Sequence, residues 1–276
     1  MKRETPVTLP EGFLDFFTEL ENIQNQQQIL LAKSVQFDTF DLKKHLGSGS
    51  RSFIELHGLA VDPLLYKSVL TVIIDFLKQK RPELKESMEK LQLELDRLDL
   101  KQIIASLIVS DMGDHFNELA PRVELTQEML VFTFEQALRP FLRVYARPYV
   151  QDLLKDDHHL WQFPNICPIC GSKSNFSRVS SSDNRRFMFC DRCFSEWETR
   201  YLQCVHCGND EPSSIKYLNV EEDDAYHLYV CDKCKGYLKT YDERQKTKII
   251  DLYIANMETI YLDLLAREKG YTNHDD

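Results

Sequence analysis

Eight cysteines, all placed in four Cys-x-x-Cys pairs, constrain this chain more than any other feature of its 276 residues. The pairs are Cys167/Cys170, Cys190/Cys193, Cys204/Cys207 and Cys231/Cys234, with 19, 10 and 23 residues between them. Such a pair sets two thiolates on one tight turn, and a second pair carried across by a hairpin completes a tetrahedral all-sulfur site. Pairing neighbours in sequence predicts one site from Cys167, Cys170, Cys190 and Cys193 and another from Cys204, Cys207, Cys231 and Cys234. Disulfides would need an oxidising compartment, and a redox dithiol normally comes as a single pair near a βαβ pattern. Metal ligation uses all four pairs alike.

The intervening residues suit this reading. Strands are predicted over 178–180 and 186–189 in the first ribbon and over 215–220 and 226–230 in the second, with an acidic turn at 221–224. Gly171 and Gly208 follow the second cysteine of two pairs, where the turn calls for positive φ. Phe194 and Lys235 stand at the equivalent places in the other two, so the halves of each site are expected to be unequal. Zinc and iron both accept tetrahedral sulfur, and the residues do not choose between them.

Ahead of the cysteines the chain reads as helix after helix. Phe13, Phe16, Phe17, Leu20 and Ile23 recur at helical spacing and continue into Ile29, Leu30 and Val35, with Gln24–Gln28 as a solvated face. Residues 45–50, His-Leu-Gly-Ser-Gly-Ser, read as a flexible loop. Asp62-Pro63 caps and opens a helix through Leu64, Leu65, Val69, Ile73 and Phe76. Leu84, Met88, Leu91, Leu95 and Leu98 mark another, residues 101–119 a further one that Pro121 breaks, and residues 126–150 a helix apolar on more than one side, with Pro140 and Pro148 kinking or ending it. Trp161 and Phe163 are expected to pack the first ribbon on these helices, and Asp156–His159 read as a polar linker. After the last pair, a single helix from about Asp242 to Lys269 carries a stripe including Ile249, Ile250, Tyr253, Met257, Ile260, Tyr261, Leu264 and Leu265, with Gly270 as its cap.

The organisation expected is α+β: an α-helical domain over 1–160, a first four-cysteine metal ribbon over 161–202, a second over 203–240, and a closing helix within 241–276 packed on the ribbons or the bundle. At 43% hydrophobic residues the chain can bury a substantial core. A net charge of −10 argues against nucleic acid as the partner of the ribbons, because phosphate binding draws on clustered Lys and Arg. The N-terminal residues have no apolar run like that of a targeting segment, and no stretch approaches 18 apolar residues, so a reducing cytoplasm and no membrane insertion are expected. His57, His115, His158 and His159 are scattered, no phosphate loop or hydrolase motif occurs, and no catalytic residue is assigned.

Finer marks narrow the reading. Phe189 to Trp197 runs aromatic–Cys-x-x-Cys–x3–Trp, Arg200 precedes the third pair, and Cys231 to Lys239 reads Cys-x-x-Cys-x-Gly-Tyr-Leu-Lys. With CPICGS before them and a closing helix running into EKGY, these residues resemble the formate dehydrogenase accessory protein family, FdhE. The resemblance is close over about 165–271 and looser over the helical half, and the chain departs from some members in ending YTNHDD without an apolar tail. It implies an α-helical domain followed by two rubredoxin-like modules, two metal ions held by the eight cysteines as zinc or iron, and a non-enzymatic cytoplasmic maturation factor. The implied partner is the catalytic subunit of formate dehydrogenase, bound before export. Trp197, Arg200 and Tyr237 are candidate contacts with it; ribbon-core packing for Trp197, a surface or capping role for Arg200 and packing on the second site for Tyr237 are the alternatives. A rubredoxin-like electron carrier or thiol oxidoreductase is the rival function.

Overall fold

The computed structural model describes residues 9–36, 38–39, 41–48, 51–109, 114–155, 161–219, 223–245 and 250–274. The proposed linker residues Asp156, Asp157, His158 and His159 lie outside these, as do Ile249 and part of the acidic turn.

Nine helices among the described residues precede the cysteines: α1 (Phe13–Ser34), α2 (Leu42–Ser48), α3 (Phe53–His57), α4 (Pro63–Lys80), α5 (Lys85–Glu94), α6 (Leu100–Ile108), α7 (Leu119–Val123), α8 (Gln127–Ala146) and α9 (Val150–Leu153). The Asp62 carboxylate accepts from the N–H groups of Leu64 and Leu65, and the Thr126 hydroxyl from that of Met129, so α4 and α8 begin where the caps predict. Helices α1, α4 and α8 pack on one another around a core that includes Leu20, Tyr66, Ile73, Phe134 and Phe141. Residues 45–48, expected in a loop, belong to α2. Residues 101–119 do not form one helix, since α6 stops at Ile108. Pro121 does not break a helix either: it sits in the first turn of α7, where a missing N–H removes no intrahelical bond.

Pro140 lies inside α8 without ending it, and α1 explains how. A proline at 140 leaves the carbonyl of Gln136, four residues back, without its helical donor. The Gln24 Nε2 donates to that carbonyl at 2.9 Å and also lies 2.9 Å from the Gln136 side-chain oxygen, while Gln24 Oε1 accepts from Arg143 at 3.0 Å. Gln24 is therefore fully buried, contrary to the solvated face expected, and Ile29 and Leu30 point outward. A glutamine at the centre of the helix contact turns the register of α1 away from the plain apolar stripe.

The two ribbons share one six-stranded sheet, ordered β3-β2-β1-β6-β5-β4, from β1 (Phe176–Val179), β2 (Arg186–Phe189), β3 (Glu196–Thr199), β4 (Ile215–Asn219), β5 (Tyr226–Cys231) and β6 (Tyr237–Asp242). Each ribbon is an antiparallel three-stranded meander, and a parallel pairing of β1 with β6 joins them. At that seam Ser177 opposes Thr240, with their hydroxyls 2.8 Å apart. The β1, β2, β4 and β5 strands match the predicted hairpins, but β3 and β6 were not expected.

The predicted single closing helix is two. Asp242 ends β6 rather than opening a helix, and α10 (Leu252–Glu258) and α11 (Ile260–Glu268) are separated at Thr259, whose hydroxyl donates back to the Ala255 carbonyl at 2.8 Å. Asp251 caps α10 through the N–H groups of Tyr253 and Ile254. The break at Thr259 buries Tyr253 and Tyr261 against the sheet and exposes Ile260 and Leu264 of the expected stripe. Gly270 closes α11 in the left-handed conformation, as predicted, with the Tyr271 N–H reaching the Ala266 carbonyl. α10 lies against α1 and α11 against β6, so the closing segment meets both bundle and sheet.

Candidate metal centres

The four Cys-x-x-Cys turns have one backbone geometry. In each, the first cysteine's N–H donates to the carbonyl five residues on: Cys167 to Ser172, Cys190 to Ser195, Cys204 to Asn209 and Cys231 to Gly236, at 2.8–2.9 Å. In each, the residue after the second cysteine donates back to the first cysteine's carbonyl, from Gly171, Phe194, Gly208 and Lys235 at 2.8–3.0 Å. All four of these residues have φ between 61° and 76°. The halves of each site are thus equivalent in backbone, and the expectation of unequal halves fails: Phe194 and Lys235 accept the left-handed conformation because two hydrogen bonds fix the turn around them.

These turns bring the sulfurs together as the spacing predicts, into one group of Cys167, Cys170, Cys190 and Cys193 and another of Cys204, Cys207, Cys231 and Cys234, each with its Sγ atoms within 4.8 Å of one another. The cross-pair approaches are 3.5 Å for Cys167–Cys193 and Cys170–Cys190, 3.6 Å for Cys204–Cys234 and 3.9 Å for Cys207–Cys231. A disulfide needs about 2.05 Å between sulfurs. A tetrahedron with metal–sulfur bonds of about 2.3 Å has edges of about 3.8 Å, so both groups fit one tetrahedral metal ion, and their donor set suits zinc or iron.

Polar groups already face the sulfurs, with the Cys170 and Cys193 thiols donating to the Ser172 and Ser195 hydroxyls. The Ser172 and Ser195 hydroxyls lie 3.4 and 3.2 Å from the Sγ atoms of Cys170 and Cys193, and the Gly236 N–H donates to Cys234 Sγ at 3.3 Å. Gly236 is there for space as well, because a Cβ would stand 2.5 Å from the His206 ring. Burial pushes the Cys167 and Cys190 thiols well up. For Cys170, burial is outweighed by hydrogen bonds from its three neighbours and the Arg192 charge, and its thiol is held well below the ordinary range. In the second group burial raises Cys204 to about 11, whereas backbone N–H groups of Cys234 and Lys233 outweigh burial at Cys231 and lower it. Filling either group with a metal therefore displaces protons.

The first group is part of the protein's main core. All four of its cysteines are buried among the helices' apolar side chains. The carbonyls of Pro168 and Ile169, inside the first pair, accept from the N–H groups of Phe53 and Ile54 at the start of α3, which Ser52 and Glu55 close with a capping box. Arg192, inside the second pair, donates through Nε and Nη2 to the two carboxylate oxygens of Glu135 on α8 at 2.5 and 2.9 Å, and to the Leu107 carbonyl at the end of α6 at 2.5 Å. The backbone of Asp191 accepts from Arg139, also on α8. Trp161 packs in this core as expected, its indole N–H on the Ile166 carbonyl, whereas Phe163 is partly exposed.

The second group stands at the surface. Cys207 is exposed and Cys234 half-buried. A cleft of about 480 Å³ beside it is walled by Phe163, Glu198, Arg200, His206, Cys207 and Gly208 among others. Of the three candidate partner contacts, Arg200 is exposed and lines this cleft. Trp197 is buried with its indole N–H on the Pro164 carbonyl. Tyr237 is buried beside the second group, its hydroxyl donating to Asp263 of α11 while its carbonyl accepts from His206 Nε2. Two arginines that sequence reasoning did not single out, Arg186 and Arg192, lie buried near the groups; the only sequence signal for Arg192 is its place between Cys190 and Cys193.

Residues 202–275 match the FdhE C-terminal domain family. An FdhE homolog of Aquifex aeolicus is 28% identical over 243 residues, covering 86% of this chain and 77% of that protein. Residues 202–275 are thus an FdhE C-terminal domain, and the rest of the chain is similar to FdhE homologs. An FdhE homolog of Haemophilus influenzae is 26% identical over 216 residues, 75% of this chain and 64% of that protein. The crystal structure of the FdhE protein from Pseudomonas aeruginosa superposes with a TM-score of 0.56 at 18% identity, covering 98% of this chain and 95% of that one, and so shares the overall fold.

Proposed function

We propose that this chain is an FdhE-family, non-enzymatic accessory factor that holds the catalytic subunit of formate dehydrogenase in the cytoplasm, before export, while that subunit is made active. The eight cysteines hold two metal ions, zinc or iron, and the two centres have different tasks. The first is a structural clamp between ribbon and helices. The second presents Cys207 and Arg200 along an open cleft and is the face offered to the client. The observation that carries this reading is the asymmetry of two equally built four-cysteine groups, one sealed in the core and one open at Cys207. Among the described residues no helix is long and apolar enough to cross a membrane, in keeping with a factor that meets its client in solution.

Affinity capture of the intact chain from its own cells under anaerobic conditions, beside Arg200→Glu and Cys204→Ser, tests this. The expected result is a formate dehydrogenase catalytic subunit enriched with the intact chain and depleted with both variants. Its absence, with small redox partners captured instead, would overturn the proposal in favour of an electron carrier.

A further inference from the structure

A buried arginine lies beside each four-cysteine group, Arg192 at the first and Arg186 at the second, and the two differ in what balances them. Arg192 has the Glu135 carboxylate. Arg186, on β2, has no ion-pair partner among the described residues. Its side chain is 2% exposed, its Nε and Nη2 lack hydrogen-bond partners, and its guanidinium lies between the rings of Tyr229 and Tyr201, 4.4 and 4.9 Å from their centroids. Aromatic faces attract a cation but do not supply a counter-charge, and a buried charge without one is strongly disfavoured. Beside Arg186 lies a cavity of about 20 Å³, whose walls include Cys204 and Cys231, one cysteine from each pair of the second group. Four thiolates around a divalent metal leave a net charge of −2.

We propose that Arg186 is the internal counter-ion of the second four-cysteine metal centre, supplied to the second ribbon by a strand of the first. The inference rests on reading Cys204, Cys207, Cys231 and Cys234 as metal ligands. Before a metal enters, the guanidinium is an unbalanced buried cation, and burial holds its pKa below the ordinary arginine range. A loaded centre supplies the missing negative charge, so Arg186 favours the metal-bound state over the metal-free one. The seam between β1 and β6 makes this possible, because it sets β2 close enough to the second group for Arg186 to reach under it. Arg186 is a positioning and charge-balancing residue and not a ligand.

The test is a cobalt titration of the full chain against a competing chelator, read by the sulfur-to-cobalt charge-transfer absorption, with Cys207→Ser assigning the second-centre signal. Arg186→Met and Arg186→Gln remove the charge, one with an apolar and one with a planar head, so that a folding defect in one leaves the other; Arg186→Lys keeps the charge. The expected result is second-centre affinity lowered about tenfold or more in Met and Gln, as for lost outer-shell partners. Lys should recover most of that loss, the first centre should be unchanged, and the metal-free variants should melt no lower than wild type. Second-centre affinity within twofold of wild type in Met and Gln, or an equal loss in Lys, would overturn the proposal. A wild-type chain with no Cys207-dependent cobalt would remove the ligand assignment itself, and needs no Arg186 variant to be seen.

Discussion

Arg192 and Glu135 form a two-pronged ion pair that joins a Cys-x-x-Cys turn to the middle of α8, a largely buried helix of the bundle. The same guanidinium closes the C-terminal end of α6 through the Leu107 carbonyl. Because both partners are mostly buried, removing one strands the other. Arg192→Met should cost about 3–5 kcal/mol of unfolding free energy by chemical denaturation. Arg192→Lys should recover little of it, since an ammonium does not span both carboxylate oxygens and the Leu107 carbonyl. A loss under about 1 kcal/mol would show that the first centre is not clamped this way.

Gln24 and Pro140 make a second coupled pair. Gln24→Leu leaves the Gln136 carbonyl buried without a donor, at a cost of about 1–3 kcal/mol. Pro140→Ala in that background restores an N–H four residues along the helix, so the double variant should be more stable than Gln24→Leu alone. A thermodynamic cycle over the four proteins checks this, and strict additivity would contradict it.

Glu21 of α1 is raised to about 7, first by burial and then by the charge and hydrogen bond of Asp251. The folded state therefore keeps a proton that the unfolded chain gives up near its ordinary carboxylate range, about 4.3. Stability should fall as pH rises from about 4.5 to about 7, with the full penalty present above 7. Glu21→Gln removes the penalty: the variant should be the more stable protein at pH 8, and its advantage should vanish towards pH 5. Denaturation midpoints across that range decide it, and parallel curves would refute the assignment.

The difference in exposure between the two centres predicts an order of attack. A chelator in excess should empty the metal-loaded protein in two phases, the second centre first. Alkylation mapped by mass spectrometry should then modify Cys207 ahead of Cys167, Cys170, Cys190 and Cys193, which open only when the core opens. A single phase with uniform labelling would contradict this.

The two four-cysteine groups were legible because a Cys-x-x-Cys turn is a local device, with its hydrogen bonds closing within six residues. Hairpins β1/β2 and β4/β5 and the caps at Asp62 and Thr126 were legible for the same reason. What escaped is non-local. β3 and β6 carry charged residues that read as surface, yet Lys239 is buried because Asp263 Oδ2 on α11, 2.8 Å away, pairs with it. Gln24 looks solvated until Pro140, more than a hundred residues on, gives it a carbonyl to satisfy. Nothing in the spacing of the cysteines shows that the ribbons share a sheet, since the β1–β6 pairing joins segments some sixty residues apart.

One metal ion is expected to fill each four-cysteine group, and native mass spectrometry of the full chain after zinc loading counts those ions. Metal binding to such modules contributes about 10–16 kcal/mol to folding, so occupancy should be stoichiometric: two ions in the wild-type chain and one in Cys204→Ser, with the helical half of that variant still folded. A wild-type mass with fewer than two ions, or one lowered by the hydrogens lost on forming disulfides, would rule out two four-cysteine metal centres.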